Sequence, residues 1–172
     1  RARESVNIFQ IDDGYEPFVG DWLDYNGKDF PNGMKTIADA VHREGYLAGI
    51  WLAPFNVQRG KSRILKEHPD WIIRTPEGKP QIGCIGWGGA YTLDIYNPEV
   101  REHLKNVFDT VLNDWGYDMV KLDFLYSQCR TPRNNKTRGT IMCEAMDFLR
   151  ECVGDKLILG CGVPLGPAFG VV

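Results

Sequence analysis

Four short apolar segments alternate with three amphipathic segments along the chain, and this alternation restricts the folds that the chain can adopt. The apolar segments span residues 6–12, 46–55, 117–126 and 156–162, and the amphipathic segments span residues 32–45, 97–116 and 138–152. Strands that are apolar on both faces are typical of parallel sheets, and helices supply the crossover connections that parallel pairing needs. We therefore predict an α/β fold in which helices cover a parallel sheet.

Local signals mark the ends of the predicted helices. Segment 32–45 has apolar residues at the i, i+3, i+4 and i+7 positions of an amphipathic helix. Segment 97–116 begins with Asn97 as N-cap and with Pro98 in the first helical position. The third helix ends at Gly154, which suits the position after a helix C-terminus.

Two shorter elements are predicted between the second strand and the second helix. Residues 62–68 form a short helix, which cannot continue past Pro69. Residues 71–82 read as a small hairpin around a Pro-Glu-Gly-Lys turn at 76–79. No repeat or low-complexity linker interrupts the order of elements, so we expect one domain over residues 1–172.

Composition narrows the class of ligand. The 172-residue chain is 43% hydrophobic and 25% charged, as expected of a globular domain with one substantial core. A net charge of −3, with basic residues scattered along the chain, argues against nucleic acid or an anionic membrane as partner. No apolar run approaches the roughly 20 residues of a membrane span. A small neutral ligand is the better hypothesis.

The cysteines predict a reducing environment. Five of them are present, and none has C-x-x-C spacing, so neither a disulfide framework nor a zinc site is indicated. We expect free thiols and a cytoplasmic location. The chain begins with Arg-Ala-Arg rather than Met, so we also expect that it was taken from a longer protein.

Residues with chemically distinctive side chains lie at the carboxyl ends of the predicted strands. Asp12 and Asp13 follow the first strand, Trp51 lies in the second, Lys121 and Asp123 lie in the third, and Cys161 lies in the fourth. In a (β/α)8 barrel this rim carries the active site. The alternative of a dinucleotide site is disfavoured, because Gly-Cys-Gly-Val-Pro-Leu-Gly lacks the G-x-G-x-x-G spacing.

The charged pair inside segment 117–126 permits two interpretations. Residues two apart in a strand share a face, which places Lys121 and Asp123 roughly 6–7 Å apart along the backbone. Uncompensated burial of charge is costly, so the pair is either a structural ion pair or part of a site at the strand end. In a site, the lysine would keep the carboxylate ionised.

The acidic pair after the first strand also permits two interpretations. Carboxylates beside an aromatic ring suit a sugar, because they accept hydrogen bonds from hydroxyl groups while the ring covers an apolar face. Asp12 and Asp13 could instead bind Mg²⁺ or Ca²⁺. The sequence offers neither a D-x-D-x-D-G loop nor H-x-x-x-H spacing for a metal.

Taken together, these motifs resemble glycoside hydrolase family 36, the α-galactosidases. The resemblance rests on FQIDDGY, GDWL, FPNGMKTIADAVHREGYLAGIWLAPF, HPDW, KLDFLY and LILGCGVPLGPAFG in this order. It implies a (β/α)8 TIM barrel, of which the chain covers about strands two to five of eight. It also implies a retaining hydrolase of terminal α-galactosides in oligosaccharides, without a cofactor or a metal.

The resemblance implies a role for each rim residue. Asp123 is similar to the catalytic nucleophile, and Lys121 to a lysine that binds sugar hydroxyls beside it. Asp12 and Asp13 resemble the pair that grips the galactose hydroxyls, including the axial one. Trp51 looks like the aromatic residue that stacks on the sugar, and Cys161 like a residue that lines the subsite.

The resemblance leaves alternatives open. The general acid/base of the family follows the next strand, which would lie beyond Val172, and Pro164 stands where some members have a glycine. The chain could therefore be an inactive sugar-binding fragment. The complete protein could also act on α-N-acetylgalactosaminides or transfer galactosyl groups, and it could be a homo-oligomer.

Overall fold

A computed structural model describes residues 7–172 of the chain, which form seven strands and five α-helices. In chain order these are β1 (Ile8–Ile11), α1 (Gly33–Arg43), β2 (Leu47–Leu52), β3 (Asn56–Gln58), α2 (Arg63–Glu67), β4 (Ile82–Cys84), β5 (Ala90–Thr92), α3 (Pro98–Asp109), β6 (Met119–Leu122), α4 (Arg138–Val153), β7 (Leu157–Gly160) and α5 (Leu165–Ala168). Val6, the first position of the first predicted strand, lies outside the described residues.

The four strands predicted from the apolar segments form one parallel sheet in the order β1-β2-β6-β7. In this register Trp51 lies beside Lys121, and Lys121 lies beside Leu159. The parallel α/β arrangement is thus confirmed. The closed eight-stranded barrel stays a prediction.

The helix-end signals are also confirmed. Pro98 opens α3, and the side chain of Asn97 accepts a hydrogen bond of 2.9 Å from the backbone N–H of Glu99. The helix continues beyond Asp109 as one π-helical turn, and α4 ends where Gly154 takes φ 64°. Residues 62–68 contain α2, which Ser62 caps by accepting from the N–H of Leu65.

A second, antiparallel sheet of order β3-β5-β4 was not predicted. Its strands have three residues each, and β3 carries the polar residues Asn56 and Gln58, so no apolar run announces it. The predicted turn at 76–79 is present and is closed by a bridge between Arg74 and Pro80. Beyond that turn, however, the chain pairs with β5.

The two faces of the parallel sheet have different environments. One face carries Ile50, Val120 and Ile158, which are buried in a single core with apolar residues of the helices. On the other face, side chains near the carboxyl ends of the strands form the candidate site. The same face carries three exposed leucines, at 42% for Leu47 and 50% each for Leu157 and Leu159. This face therefore combines a polar end with an uncovered apolar part.

Two further findings concern the chain as a whole. All five cysteines are free thiols. Within residues 7–172, no helix combines the length and the apolar character that crossing a membrane would require. A cytoplasmic location stays a prediction.

Gly49, in the central strand β2, is a site at which packing can be tested. A Cβ atom there would lie 2.5 Å from Cε of Met119 and 3.2 Å from Cβ of Gln10. Gly49→Ala should lower the free energy of unfolding by about 1–3 kcal/mol, because extra volume strains a packed sheet. Urea unfolding measures this effect. Gly27→Ala, where no atom lies within 4 Å, is the control, and equal effects of the two changes would contradict the packing.

Candidate active site

The predicted site residues converge on one edge of the parallel sheet. Asp12 and Asp13 follow β1, and Trp51 lies in β2. On the other side of β2, Asp123 follows β6, and Cys161 follows β7. Since the four strands are parallel, their carboxyl ends share an edge, and the side chains contact one another there.

Asp123 is anchored through both of its carboxylate oxygens. Oδ1 accepts from the backbone N–H of Phe124 at 2.7 Å, and Oδ2 accepts from the indole N–H of Trp51 at 3.2 Å. Phe124 takes φ 53°, in the left-handed region, as the chain turns at the end of β6. A hydrogen bond with Asp123 is also the main cause that raises the pKa of the Cys161 thiol. The thiol therefore stays protonated and can donate.

Lys121 pairs with Asp12 rather than with Asp123. Its Nζ lies 2.7 Å from Oδ2 of Asp12. A structural ion pair between Lys121 and Asp123, one of the two interpretations of the sequence, is therefore not formed, because the long lysine side chain reaches across β2 to the carboxylate that follows β1. The hydrogen bond to Asp12 is the main cause that raises the pKa of Lys121, and the charges of Asp12 and Asp123 add to it.

Asp12 receives three hydrogen bonds. Oδ2 accepts from Lys121 and from Nε2 of Gln10, both at 2.7 Å, and Oδ1 accepts from the backbone N–H of Asp13 at 2.9 Å. Burial, the largest single influence, raises the pKa of Asp12, but these hydrogen bonds and the charge of Lys121 together lower it below its ordinary value. Asp12 is therefore held as a carboxylate.

Asp13 is bound by a residue that sequence reasoning missed. The indole N–H of Trp87 donates to Oδ2 of Asp13 at 2.8 Å. Trp87 lies in the turn between β4 and β5 and takes φ 57°, a conformation that is strained for a residue with a side chain. The signal in the sequence was a single large aromatic residue within Gly-Cys-Ile-Gly-Trp-Gly-Gly.

Trp51 lies at the site but exposes almost none of its surface. It is 2% exposed, and its ring contacts Trp22 at 5.7 Å and Trp87 at 5.8 Å between centroids. In this structure Trp51 presents its N–H to Asp123. Stacking of Trp51 on a sugar stays a prediction, and Trp87 is the partly exposed indole at this rim.

Glu16, three residues after Asp13, is a further acidic group that sequence reasoning missed. It is only 7% exposed. Burial, followed by a hydrogen bond with Asp13, raises the pKa of Glu16 to about 8. Near neutral pH Glu16 is therefore a carboxylic acid that can donate to Asp13. A groove of about 340 Å³ lies here, lined by Asp13, Glu16, Phe18, Gln58, Lys61 and Trp87, among others.

The charged side chains at this rim suit a ligand with hydroxyl groups better than a divalent cation. Residues 7–172 contain no group of three or more His, Cys, Asp or Glu side chains that could hold a metal ion. Lys121 places a positive charge against Asp12, where a second cation would be repelled. The carboxylates keep free lone pairs that can accept hydrogen bonds from hydroxyl groups.

Glu16 makes stability depend on pH. The folded chain keeps the proton on the Glu16 carboxyl group up to about pH 8, whereas the unfolded chain loses it near the ordinary pKa of 4.5. The unfolded chain therefore binds fewer protons between these pH values, and the free energy of unfolding falls as pH rises through this window. Glu16→Gln should therefore gain stability relative to the unchanged chain between pH 4.5 and 8, by about a few kcal/mol, and the gain should level off above pH 8.

Unfolding free energies measured across that range check this prediction. Glu102→Gln, a change at an exposed helical position, is the control. A stability difference for Glu16→Gln that stays constant between pH 4.5 and 8 would show that Glu16 is ionised in the folded chain.

Comparison with known sequences places these motifs among the α-galactosidases. The Melibiase family profile matches residues 2–145. Alpha-galactosidase Mel36A of Lactobacillus acidophilus is 32% identical over 125 residues, which cover 69% of this chain and 16% of that protein. Alpha-galactosidase of Escherichia coli is 30% identical over 129 residues, which cover 71% of this chain and 17% of that protein.

Solved structures show the same fold. TtGalA, an alpha-galactosidase from Thermus thermophilus in complex with stachyose, aligns with a TM-score of 0.87 at 37% identity, over 98% of this chain and 36% of that one. AgaA from Geobacillus stearothermophilus aligns with a TM-score of 0.70 at 22% identity, which is a likeness of fold alone. The chain thus spans about a third of the Thermus structure and about a sixth of the curated relatives.

Proposed function

The chain belongs to the Melibiase family of glycoside hydrolases, and on that premise we propose that it supplies the sugar-binding and nucleophilic part of a retaining α-galactosidase. The observation that carries this proposal is the placement of three anchored aspartates, Asp12, Asp13 and Asp123, on one rim of a parallel sheet. The Thermus structure binds stachyose, a galactose-containing oligosaccharide, which supports that substrate class.

In the proposed mechanism Asp123 is the nucleophile. Its carboxylate attacks the anomeric carbon, the leaving oxygen departs with a proton from a general acid, and a covalent glycosyl-enzyme results. Water then releases galactose with retained configuration. Hydrogen bonds from Phe124 and Trp51 orient the carboxylate for attack and give it a defined direction.

The general acid is assigned to none of the described residues. It must protonate the leaving oxygen on the face of the sugar opposite Asp123. Asp12 is engaged by Lys121 and Asp13 by Trp87. Glu16 carries a proton at neutral pH, but its hydrogen bonds are with Asp13 and Gly14, so its proposed role is to hold Asp13.

Asp12 and Asp13 would bind the sugar hydroxyls, including the axial hydroxyl of galactose. Hydrogen bonds to ionised acceptors are the strong ones, at about 1.5–3 kcal/mol each. Lys121, which is held beside Asp12, can donate to a further hydroxyl oxygen. Cys161 would line the pocket next to Asp123.

We further propose that the parallel sheet is part of a (β/α)8 barrel. The exposed leucines Leu47, Leu157 and Leu159 share the face that carries the site. In such a barrel this face points inward and its side chains pack in layers with those of other strands. Additional strands would cover the three leucines and would leave the polar rim open to substrate.

Removing the nucleophile is the main test. In the complete protein, Asp123→Ala should reduce hydrolysis of nitrophenyl α-galactoside by several orders of magnitude and leave folding intact. Azide should restore turnover and yield β-galactosyl azide, because a small anion can take the place of the missing carboxylate. Kinetics and NMR of the product measure both effects.

Asp147→Ala, at an exposed position of α4, provides the matched control and should keep full activity. Undiminished hydrolysis in Asp123→Ala would remove Asp123 from the chemistry. An azide product of α configuration would contradict attack from the Asp123 face.

Substrate comparison separates the proposal from its alternatives. The complete protein should hydrolyse nitrophenyl α-galactoside at least about tenfold faster than nitrophenyl α-N-acetylgalactosaminide, because an added acetamido group must find room in a site that is proposed to bind a hydroxyl group. Comparable values of kcat/KM would favour an α-N-acetylgalactosaminidase. Predominant galactosyl transfer in the presence of an acceptor sugar would favour a transferase.

A further inference from the structure

We propose that Gln10 is a positioning residue for Asp12 and that, together with Lys121, it leaves Asp12 able to accept one sugar hydroxyl through Oδ1. This inference rests on the proposed function, because it concerns the same sugar site. Gln10 does not reach the reacting atoms in this proposal. It acts through the carboxylate that it holds.

The first observation is the place of Gln10 in the sheet. Gln10 pairs in register with Gly49, which in turn pairs with Met119, and Met119 pairs with Leu157. Gln10 is thus the one polar residue in a row that otherwise consists of a glycine and two apolar side chains. A polar amide beside apolar groups is costly unless it forms hydrogen bonds, and Nε2 of Gln10 donates to Oδ2 of Asp12 at 2.7 Å.

The second observation is that the row makes room for this side chain. A Cβ atom on Gly49 would lie 3.2 Å from Cβ and 3.3 Å from Cγ of Gln10. The missing side chain at Gly49 therefore lets the base of the glutamine lie against β2. From there the amide reaches toward the carboxyl end of β1, where Asp12 lies two residues further along the same face.

The third observation is the number of acceptor positions on Asp12. A carboxylate has about four lone-pair positions. Gln10 and Lys121 occupy two on Oδ2, and the backbone N–H of Asp13 occupies one on Oδ1. One position on Oδ1 remains, and the Asp12 side chain is 52% exposed, so a ligand can reach it. Asp12 therefore accepts one hydroxyl in a direction that its three donors determine.

Gln10 and Lys121 contribute differently to this arrangement. The lysine supplies charge at the end of a long side chain that crosses β2. The glutamine is short, uncharged at every pH and attached to the same strand as its partner, so it fixes the plane of the carboxylate. Its hydrogen bond also acts to lower the pKa of Asp12, which keeps the acceptor ionised.

The first test compares Gln10→Met with Ile8→Val in the complete protein. Gln10→Met keeps the length of the side chain but lacks the donor, and kcat/KM for nitrophenyl α-galactoside should fall about tenfold, the factor that one hydrogen bond to a charged group implies. Most of this loss should appear in KM. Ile8→Val alters the same face of β1 two residues earlier, away from Asp12, and should change kcat/KM less than twofold.

A second variant gives a measurement that would not change if Gln10 had only a structural role. In Gln10→Glu the shape is kept, but two carboxyl groups then share one hydrogen bond and compete for one proton. Lys121 binds the same oxygen of Asp12 to which Gln10 donates, and Asp123 acts on Lys121 through its charge. The acid limb of the pH profile of kcat/KM should therefore move to higher pH. An equal loss of activity at every pH would assign Gln10 to strand structure and overturn the proposal.

Crystal structures of the unliganded complete protein and of Gln10→Met separate this inference from the proposed function. Rotation of the Asp12 carboxylate in Gln10→Met supports the positioning role whether or not the protein hydrolyses galactosides. An unchanged carboxylate plane, or a Gln10→Met effect no larger than that of Ile8→Val, overturns it. If the unaltered protein turns over no α-galactoside, the proposed function fails, while the carboxylate plane still decides the role of Gln10.

Discussion

Parallel pairing of β1, β2, β6 and β7 is the constraint on which the candidate site depends. Because these strands run in one direction, Asp12, Trp51, Asp123 and Cys161 reach the same edge although up to 149 positions separate them along the chain. The pairing also sets their spacing, since neighbouring strands lie about 4.8 Å apart. Lys121 can bind Asp12 only because one strand, β2, lies between their strands. A shift of one residue in the register of any one of these strands would turn that strand's site residues to the helix-covered face.

Crowding of carboxyl groups at this edge is balanced mainly by neutral donors. Lys121 is the cation in contact with Asp12, whereas backbone and indole N–H groups bind Asp13 and Asp123. Glu16 avoids a further negative charge by staying protonated near neutral pH. Neutral donors orient the carboxylates without neutralising them. This arrangement fits the roles proposed for these groups, which are to accept hydrogen bonds from sugar hydroxyls and to attack the anomeric carbon.

The parts of the fold predicted correctly are those that have a local physical cause. Apolar runs marked the four parallel strands, and Asn97, Pro98 and Gly154 marked helix ends. Long-range choices were harder to predict. The strand period placed Lys121 and Asp123 on one face, but it could not show that a flexible side chain would find Asp12 across β2. Trp87 was missed because its role depends on a sheet of three short strands that sequence periodicity does not reveal.

That small sheet connects the strained residues of the site to the core. Trp87 and Phe124 both have positive φ angles, and their rings contact each other at 5.1 Å between centroids. Such conformations cost about 1–2 kcal/mol each, so they persist only where surrounding contacts hold them. Gln58 of β3 donates to the carbonyl of Trp87 at 2.9 Å, and Gln81 donates to the carbonyl of Ser127, in the turn after Phe124, at 2.9 Å. The antiparallel sheet, together with Gln81 just before β4, thus holds both turns, and through them it orients Asp13 and Asp123.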